Sequence, residues 1–246
     1  MKDYRKYTFC VKEILIYTPI ALGLVAAAAF IFYKSILAVL FLSPVAVLFF
    51  KYRRLELLKK QQFELAMEFK EALNSVNNSL QAGYSVENSF LEAGRDMTVM
   101  FGSDAFITEE LKLIARKLHA NEPLENALYS LAERSGVDDI RDFADVFSAA
   151  KRSGGDMNRI IRRASETISE KMDVKREIET LTAAKKFENR IMDVVPFAII
   201  AYIGLTSPDF IEGLYHNPVG IAIMTVCLII YAVAFFMAEK IVNIRI

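Results

Sequence analysis

The side chains that most often carry out chemistry are few and far apart in this chain. Its two histidines are His119 and His216, and its two cysteines are Cys10 and Cys227. A structural zinc site needs four closely placed ligands, and a catalytic cysteine or serine needs a base within hydrogen-bond reach. Two distant cysteines form no disulfide framework and are typical of a reducing compartment. These spacings predict neither a metal site nor a nucleophilic active site.

Three other short motifs have structural explanations. The acidic pairs Glu109-Glu110 and Asp138-Asp139 stand near predicted helix starts, where carboxylates interact favourably with the helix dipole. Gly154-Gly155 is not followed by the Lys-Ser/Thr of a phosphate-binding loop. We therefore predict that the chain is not an enzyme, hydrolyses no nucleotide and holds no cofactor.

Four apolar runs bracket a charged central block. The runs lie at residues 14–33, 36–50, 191–206 and 218–238. Crossing a bilayer core of about 30 Å takes about 20 apolar residues, whereas the block between the runs contains 23 Lys/Arg and 24 Asp/Glu. The pattern predicts a tail and transmembrane hairpin, a helical domain outside the membrane, and a second hairpin with a short tail, at residues 1–50, 51–190 and 191–246.

The second apolar run is short, contains Pro44, and is separated from the first run by only Lys34-Ser35. One helix over 14–50 would be about 55 Å long at about 1.5 Å per residue, too long for a single crossing. A tight hairpin with Lys34 reaching toward the headgroups fits better. A cleaved signal peptide is the alternative, but the run at 14–33 exceeds the usual apolar length of about 7–15 residues and a second run follows at once.

Basic residues predict the orientation. Lys and Arg are enriched within about 15–20 residues of a span on the cytoplasmic side. With both termini and residues 51–190 in the cytoplasm, 29 of the 30 basic residues lie there, Lys34 being the exception, and the connection at 207–217 contains no Lys or Arg. Asp193, at the mouth of the third run, is the only acid near a span interior, which disfavours a transporter. Pro196 is predicted to kink that run.

The central block has the periodicity of helices. Apolar residues recur at helical spacing, and no stretch alternates with the period of two expected for a strand. Gly and Asn positions divide the block into six predicted helices, at about 55–82, 86–97, 107–120, 123–134, 138–152 and 157–190. Short connections favour antiparallel packing of successive helices. We therefore predict an all-α membrane protein in which four transmembrane helices, two N-terminal and two C-terminal, flank a six-helix cytoplasmic antiparallel bundle.

The last of the six predicted helices has two interpretations. In the first, the helix packs against the core through its apolar stripe, which consists of Met157, Ile161, Ala164, Ile168 and Met172. Because no Gly or Pro interrupts residues 157–190, the same helix could also act as a lever or dimer contact that couples the central block to the third run. The sequence leaves both interpretations open.

A weak internal repeat marks the helix corners. Residues 82–90 align with residues 120–128, 38 positions on, and a third copy of the turn occurs at 154–157. Each copy has Gly or Asn where a helix can end in a left-handed residue, and Ser, Pro or Asp two positions later, where the next helix can begin. The predicted structural corners and possible partner contacts are Gly83, Asn121, Pro123, Gly154, Gly155 and Asp156.

These motifs resemble a known family. Residues 80–88 (LQAGYSVEN) are similar to the first motif of the type II secretion system F domain. Later motifs resemble, in order and spacing, the TadB/TadC branch, the platform proteins of tight-adherence (Flp-type) pili: Glu122–Leu128, Leu131–Gly136, Gly154-Gly155-Asp156, Leu181-Thr182-Ala183 and Val195-Pro196. The resemblance covers residues 61–246. Asn121 stands where the family more often has Gly, but Asn tolerates the same backbone conformation.

The resemblance implies a platform protein of the bacterial inner membrane without catalysis of its own. Its implied partners are a cytoplasmic secretion ATPase, a paralogous platform protein, pilin or pseudopilin subunits and membrane lipid, in a homo- or hetero-oligomer. The ATPase would move the helical domain, and the spans would pass this motion to a docked pilin. Because the formal net charge is zero, no strongly basic face indicates nucleic-acid binding, and we expect no nucleic-acid partner. The alternative from another class is a membrane-anchored helical signalling or scaffold protein.

Overall fold

A computed structural model describes residues 3–9, 11–33, 36–207 and 217–242. Within these ranges the chain forms eight helices and no strand, which confirms the all-α prediction for the described residues. The helices, numbered in chain order, are α1 Val11–Tyr33, α2 Ile36–Gln81, α3 Val86–Phe101, α4 Phe106–His119, α5 Leu124–Ser135, α6 Asp138–Ser153, α7 Met157–Thr206 and α8 Pro218–Val242.

Two of these helices are longer than the sequence predicted. Helix α2 joins the second apolar run to the helix predicted at 55–82, and α7 joins the helix predicted at 157–190 to the third apolar run. The sequence changes from apolar to charged within α2 and from charged to apolar within α7, but a change of polarity does not interrupt the backbone hydrogen bonds of a helix. Pro196 lies inside α7. The kink predicted there stays a prediction.

The chain divides into two compact units. One consists of Met1–Thr8 and Arg54–Val174, and the other of Phe9–Arg53 and Lys175–Ile246. We call the first the helical unit and the second the apolar unit. The three-region division at residues 50 and 190 refers to placement relative to a membrane and stays a prediction.

The core of the helical unit is built from the apolar stripes that periodicity indicated. On α2 the buried stripe consists of Leu65, Phe69, Leu73, Val76 and Leu80. Phe69 meets Phe143 of α6 edge-on, with ring centroids 5.5 Å apart. Phe147 of α6 in turn lies 5.8 Å from Phe143 and 6.3 Å from Phe90 of α3. Each such aromatic pair stabilises the fold by about 0.5–1.5 kcal/mol beyond its area burial, so these rings fix the packing of three helices.

Helix α7 packs against this core along its first turns. Its buried residues are Ile161, Ser165, Ile168 and Met172. The Ser165 hydroxyl also hydrogen bonds with the side chain of Asn74 on α2. Beyond this stretch, Val174 and Leu181 are exposed. The core-facing interpretation of the stripe is therefore confirmed as far as Met172.

The helical unit has two distinct ends. The α2–α3, α4–α5 and α6–α7 turns lie at one end, which we call the corner end; the contacts of Lys151 described below bring them together. At the other end, Gln62 Nε2 of α2 lies 3.4 Å from the Ser135 carbonyl oxygen, and Lys171 Nζ of α7 lies 2.7 Å from Asp139 Oδ1. Gln62 and Lys171 are close in sequence to the points where the chain enters and leaves the unit. We call this second end the tether end.

Two contacts join α7 and α8 in the apolar unit. The Tyr231 hydroxyl donates a hydrogen bond to the Asp193 carbonyl oxygen at 2.7 Å, and its ring meets Phe197 edge-on with centroids 5.3 Å apart. Asp193 and Phe197 stand on either side of Pro196, so the two helices touch at the proline.

One described helix, α7, contains an 18-residue stretch, of mean hydropathy 1.3, that is long and apolar enough to cross a membrane. Glu13–Gly23 and Val219–Phe235 are shorter apolar helical stretches. Four transmembrane helices and the six-helix bundle as a whole therefore stay predictions. Outside the described residues lie Cys10, Lys34, and most of the connection at 207–217, including His216.

Candidate functional site

The three corners indicated by the repeat have one backbone geometry. Gly83, Asn121 and Gly154 have φ angles of 90°, 58° and 68°. In each case the amide of the following residue donates to the carbonyl oxygen five residues earlier: Tyr84 to Ser79 at 3.1 Å, Glu122 to Lys117 at 3.0 Å and Gly155 to Ala150 at 2.9 Å. This hydrogen bond defines a Schellman helix end and satisfies a carbonyl group that the helix leaves unpaired. The sequence repeat thus corresponds to a repeated turn.

The next helix begins differently at each corner. Ser85 Oγ accepts a hydrogen bond from the Asn88 amide at 3.3 Å, and Asp156 Oδ1 accepts one from the Arg159 amide at 3.2 Å. Both are side-chain caps of a helix N-terminus. Pro123 makes no such hydrogen bond, but its φ of −57° is already suited to the start of a helix. Three different residue types therefore produce the same change of direction.

Lys151, in the last turn of α6, connects the corners. Its ammonium nitrogen lies 2.9 Å from Glu125 Oε2 and 3.4 Å from Glu87 Oε1. Glu87 and Glu125 occupy equivalent positions in the repeat, 38 residues apart, in the first turns of α3 and α5. One lysine therefore holds the starts of two helices beside the end of a third.

These ion pairs favour the charged forms at neutral pH. Burial by itself lowers the pKa of Lys151, but the hydrogen bond and charge of Glu125, aided by Glu87, outweigh it and raise that pKa. Burial likewise opposes ionisation of Glu125, yet the hydrogen bonds from its own amide and from Lys151 leave its pKa below the usual value. Because the Lys151 side chain is 39% exposed, each pair stabilises the fold by about 1 kcal/mol or less.

The corner end is open to solvent. All six residues predicted to form corners or partner contacts are exposed: Gly83, Asn121, Pro123, Gly154, Gly155 and Asp156. A Cβ atom added at Gly83 or Gly154 would meet no atom within 4 Å, and one at Gly155 would make contacts no closer than 3.5 Å. This surface can bind a partner through charges and hydrogen bonds. That it does so stays a prediction.

A buried ion pair at the tether end was missed from the sequence. Glu110 of α4 is only 1% exposed and makes two hydrogen bonds with Arg134 of α5, at 2.7 and 2.5 Å. The hydrogen bond with Glu110 raises the pKa of Arg134. Interaction with the helix dipole therefore explains only part of the role of Glu110. A signal was present, because Glu110 lies on the same face of α4 as the buried Ile107 and Ile114.

A second acid of the helical unit was also missed. Ala105, which precedes α4, has no side chain to cap the helix, and Glu68 of α2 takes this role instead. Its Oε2 accepts a hydrogen bond from the Ile107 amide at 2.8 Å. Burial raises the pKa of Glu68, and the amide hydrogen bond opposes that effect. The capping residue lies 39 positions away from the amide that it binds, so no local motif could indicate it.

Neither a metal site nor a groove identifies the corner end as a functional site. Within the described ranges, no group of three or more His, Cys, Asp or Glu side chains could hold a metal ion. An open groove of about 490 Å³ lies between α2 and α3, and another of about 320 Å³ lies between α6 and α7. Neither groove is lined by histidine or cysteine.

The family model of type II secretion system (T2SS) protein F matches residues 72–204, more than half of the chain. The match begins in α2, ends in α7 and includes all three corners. Neither the curated proteins nor the solved structures compared with the chain contain a match. Members of this family are non-enzymatic platform domains of inner-membrane proteins and interact with components of the secretion machinery. With this match over more than half of its length, the chain belongs to the type II secretion system protein F family.

Proposed function

We propose that this chain is the inner-membrane platform of a type II secretion machine or of a Tad (Flp-type) pilus machine. In this proposal it couples a cytoplasmic ATPase to the extraction and assembly of pilin subunits. The observation that carries the proposal is the family match over a unit whose repeated corners meet at one exposed end. The motifs that resemble TadB and TadC favour the pilus machine.

The corner end is the surface that we propose docks the ATPase. The chain has no phosphate-binding loop, so work driven by ATP must enter through a contact with another protein. The chain passages at residues 54 and 174 are close in sequence to the tether end, whereas the residues of the corners are exposed. Repeated acidic helix starts beside a lysine offer alternating charges, which favour specific and salt-sensitive binding.

In this proposal, α7 transmits motion of the corner end to the apolar unit. This helix begins at the Gly154 corner, packs on the core as far as Met172 and extends to Thr206. In the proposed placement, both termini and the helical unit are cytoplasmic, and the apolar unit contacts lipid. There, α7 and α8 would present a surface to a pilin helix and to a paralogous platform protein in a homo- or hetero-oligomer. The contact of Tyr231 with Asp193 would pass the displacement from α7 to α8.

A pair of equivalent exposed residues provides the test. Asn88 and Asn126 stand 38 positions apart on α3 and α5, next to Glu87 and Glu125, and both are exposed. The full-length protein in detergent should bind its cognate ATPase in a pull-down, weakly and less well at high salt. The double variant Asn88→Arg/Asn126→Arg should weaken this binding by about tenfold or more, because the added positive charges would repel partner cations that pair with Glu87 and Glu125 in this proposal.

The matched control changes the net charge equally but away from the corners. Glu133→Gln/Asp145→Gln alters two exposed acids, on α5 and α6, and should leave ATPase binding unchanged. Equal loss of binding in both double variants would show a general charge effect instead of a docking surface. Absence of any binding by the wild-type protein, or hydrolysis of ATP by the purified chain alone, would overturn the platform proposal.

A further inference from the structure

The segment at residues 3–8 is bound to the rest of the helical unit. Tyr4 is completely buried. Its amide donates a hydrogen bond to the Arg134 carbonyl oxygen at 2.8 Å, and its own carbonyl oxygen accepts one from Gln62 Nε2 at 3.4 Å. Further along the segment, the Tyr7 carbonyl oxygen accepts a hydrogen bond from Arg54 Nε at 2.9 Å. The segment is therefore held by its main chain at two points.

A pocket between α2, α4 and α5 receives the Tyr4 side chain. The ring meets Phe106 of α4 edge-on, with centroids 5.7 Å apart. Burial, and after it the negative charge of Glu110, raises the pKa of Tyr4. The Glu110 carboxylate accepts two hydrogen bonds from Arg134, at 2.7 and 2.5 Å. The aromatic ring of Phe106 and the nearby charge of Glu110 suit a phenol side chain, which is apolar except at its hydroxyl group.

The α5–α6 turn is shaped around the same segment. Gly136 has a φ of 63°, and a Cβ atom added there would lie 2.8 Å from Gln62 Nε2 and 3.1 Å from Arg5 Cγ. Gln62 Nε2 itself lies 3.4 Å from the carbonyl oxygens of both Tyr4 and Gly136. The turn therefore needs a glycine for its backbone conformation and also for the close approach of the N-terminal segment.

We propose that the helical unit contains an intramolecular binding site whose ligand is the chain's own residues 3–8, with Tyr4 as the side chain that the site recognises. The bound segment covers the tether end of the unit. Helix α1 begins at Val11, just after the bound residues. The segment therefore adds a third link between the apolar runs and the helical unit, beside the covalent passages at residues 54 and 174. This site does not depend on the ATPase docking proposed above.

The link is one that can open. Ordering a short segment has an entropic cost, and here it is offset by one aromatic side chain and a few main-chain hydrogen bonds. Segments held by so few contacts open locally without unfolding of the rest of the protein. Release of the segment would admit water to the Glu110–Arg134 pair.

Hydrogen–deuterium exchange of the full-length protein in detergent tests this binding site. In the wild-type protein, the amides of residues 3–8 should exchange about tenfold more slowly, or slower still, than those of a free peptide of the same sequence. Tyr4→Ala should accelerate exchange by a similar factor in residues 3–8 and in residues 132–137. Tyr4→Phe keeps the ring and should retain most of the protection. Lys6→Ala, at an exposed position of the same segment, should change nothing.

Residues 157–165, near the corner end, report whether the fold persists, and their exchange should be the same in every variant. Unchanged protection at residues 132–137 in a folded Tyr4→Ala protein would overturn the proposal. If Tyr4→Ala unfolds the whole protein, the wild-type measurement still decides. Residues 3–8 that exchange as fast as the free peptide would show that the site does not hold them.

Discussion

The two ends of the helical unit are held together by different means. At the corner end, helices stop at left-handed residues, backbone hydrogen bonds close the turns, and Lys151 makes partly exposed ion pairs. At the tether end, Tyr4 is buried, Glu110 and Arg134 form a buried ion pair, and a Cβ atom added at Gly136 would collide with Gln62. One end of the same unit is open, and the other is closed by residues distant in sequence.

This difference separates binding from stability. Exposed corners closed by their own backbone can change side chains without disturbing the core, so a partner surface can evolve there at little cost in folding. A charge in a desolvated site cannot lose its partner without a large penalty, because water no longer replaces the lost interaction. We therefore expect substitutions at the corner end to alter partner binding and substitutions at the tether end to alter unfolding.

The largest difference should come from removing one acid at each end. Glu110→Ala leaves the guanidinium of Arg134 in a site where only 16% of that side chain is exposed. Breaking such a pair typically costs about 3–5 kcal/mol, which corresponds to a fall in Tm of about 10 °C or more. Glu87→Ala removes a 46% exposed carboxylate at 3.4 Å from Lys151, and should cost less than about 0.5 kcal/mol. Because the chain has no tryptophan, thermal unfolding is best followed by circular dichroism.

A double variant controls for the loss of side-chain volume. Glu110→Leu/Arg134→Met replaces both charges with apolar side chains of similar size, and should recover most of the stability lost in Glu110→Ala, because no charge is then left buried alone. Equal effects of Glu110→Ala and Glu87→Ala would contradict the contrast between a closed and an open end.

Two glycines with nearly the same φ angle, one at each end, allow a finer comparison of the two ends. Gly136 and Gly154 have φ angles of 63° and 68°, so an alanine at either position adopts a left-handed conformation at a cost of about 1–2 kcal/mol. At Gly154 the new Cβ atom meets nothing, whereas at Gly136 it displaces Gln62 and touches Arg5. Gly136→Ala should therefore lose about 1 kcal/mol more than Gly154→Ala, because Gln62 loses hydrogen bonds. Chemical denaturation monitored by circular dichroism measures both.

The Gln62 side chain can be removed to isolate this extra loss. In a Gln62→Ala background, the difference between Gly136→Ala and Gly154→Ala should shrink, because residues in contact have non-additive effects. A difference that persists unchanged would show that Gln62 does not cause it.

The corner end was predictable from the sequence because each turn is defined by a few neighbouring residues. Gly154 permits the left-handed conformation, and Asp156, two positions later, caps the next helix. Helical periodicity likewise indicated the buried stripes and the all-α class, since both are properties of short windows. Among the helix boundaries, the continuity of α2 and α7 through a change of composition was missed.

The tether end was not predictable, because its contacts join residues far apart in the chain. Tyr4 and Arg134, which share a hydrogen bond, are 130 positions apart. Gln62 and Ser135 are 73 positions apart. No spacing rule relates such pairs, and a tyrosine among the first residues of a chain has no periodic pattern around it. Burial of a charged residue on an apolar helix face, as at Glu110, was the single local indication.

The smallest effect should come from the pH dependence of the corner end. The pKa of Glu125 is lowered, so its contribution to stability is present above its ordinary value of 4.5 and is lost as the pH falls through the lower folded-state pKa. The pKa of Lys151 is raised, so its contribution is present below its ordinary value of 10.5 and is lost as the pH rises through the higher folded-state pKa. The ion pairs therefore stabilise the fold across the neutral range.

Lys151→Met should accordingly lower Tm at pH 7 by about 1–3 °C, as expected for a partly exposed pair worth about 1 kcal/mol or less. The difference from wild type should decrease as the pH falls below 4.5 and through the lowered folded-state pKa of Glu125. It should also decrease in about 1 M salt, where the screening length is only about 3 Å. Lys60→Met, at an exposed position of α2, is the control and should show neither dependence. A Lys151→Met effect that stays constant with pH and salt would instead reflect the packing of the lysine's alkyl chain, and the corner end would then be held, like the tether end, by side-chain burial.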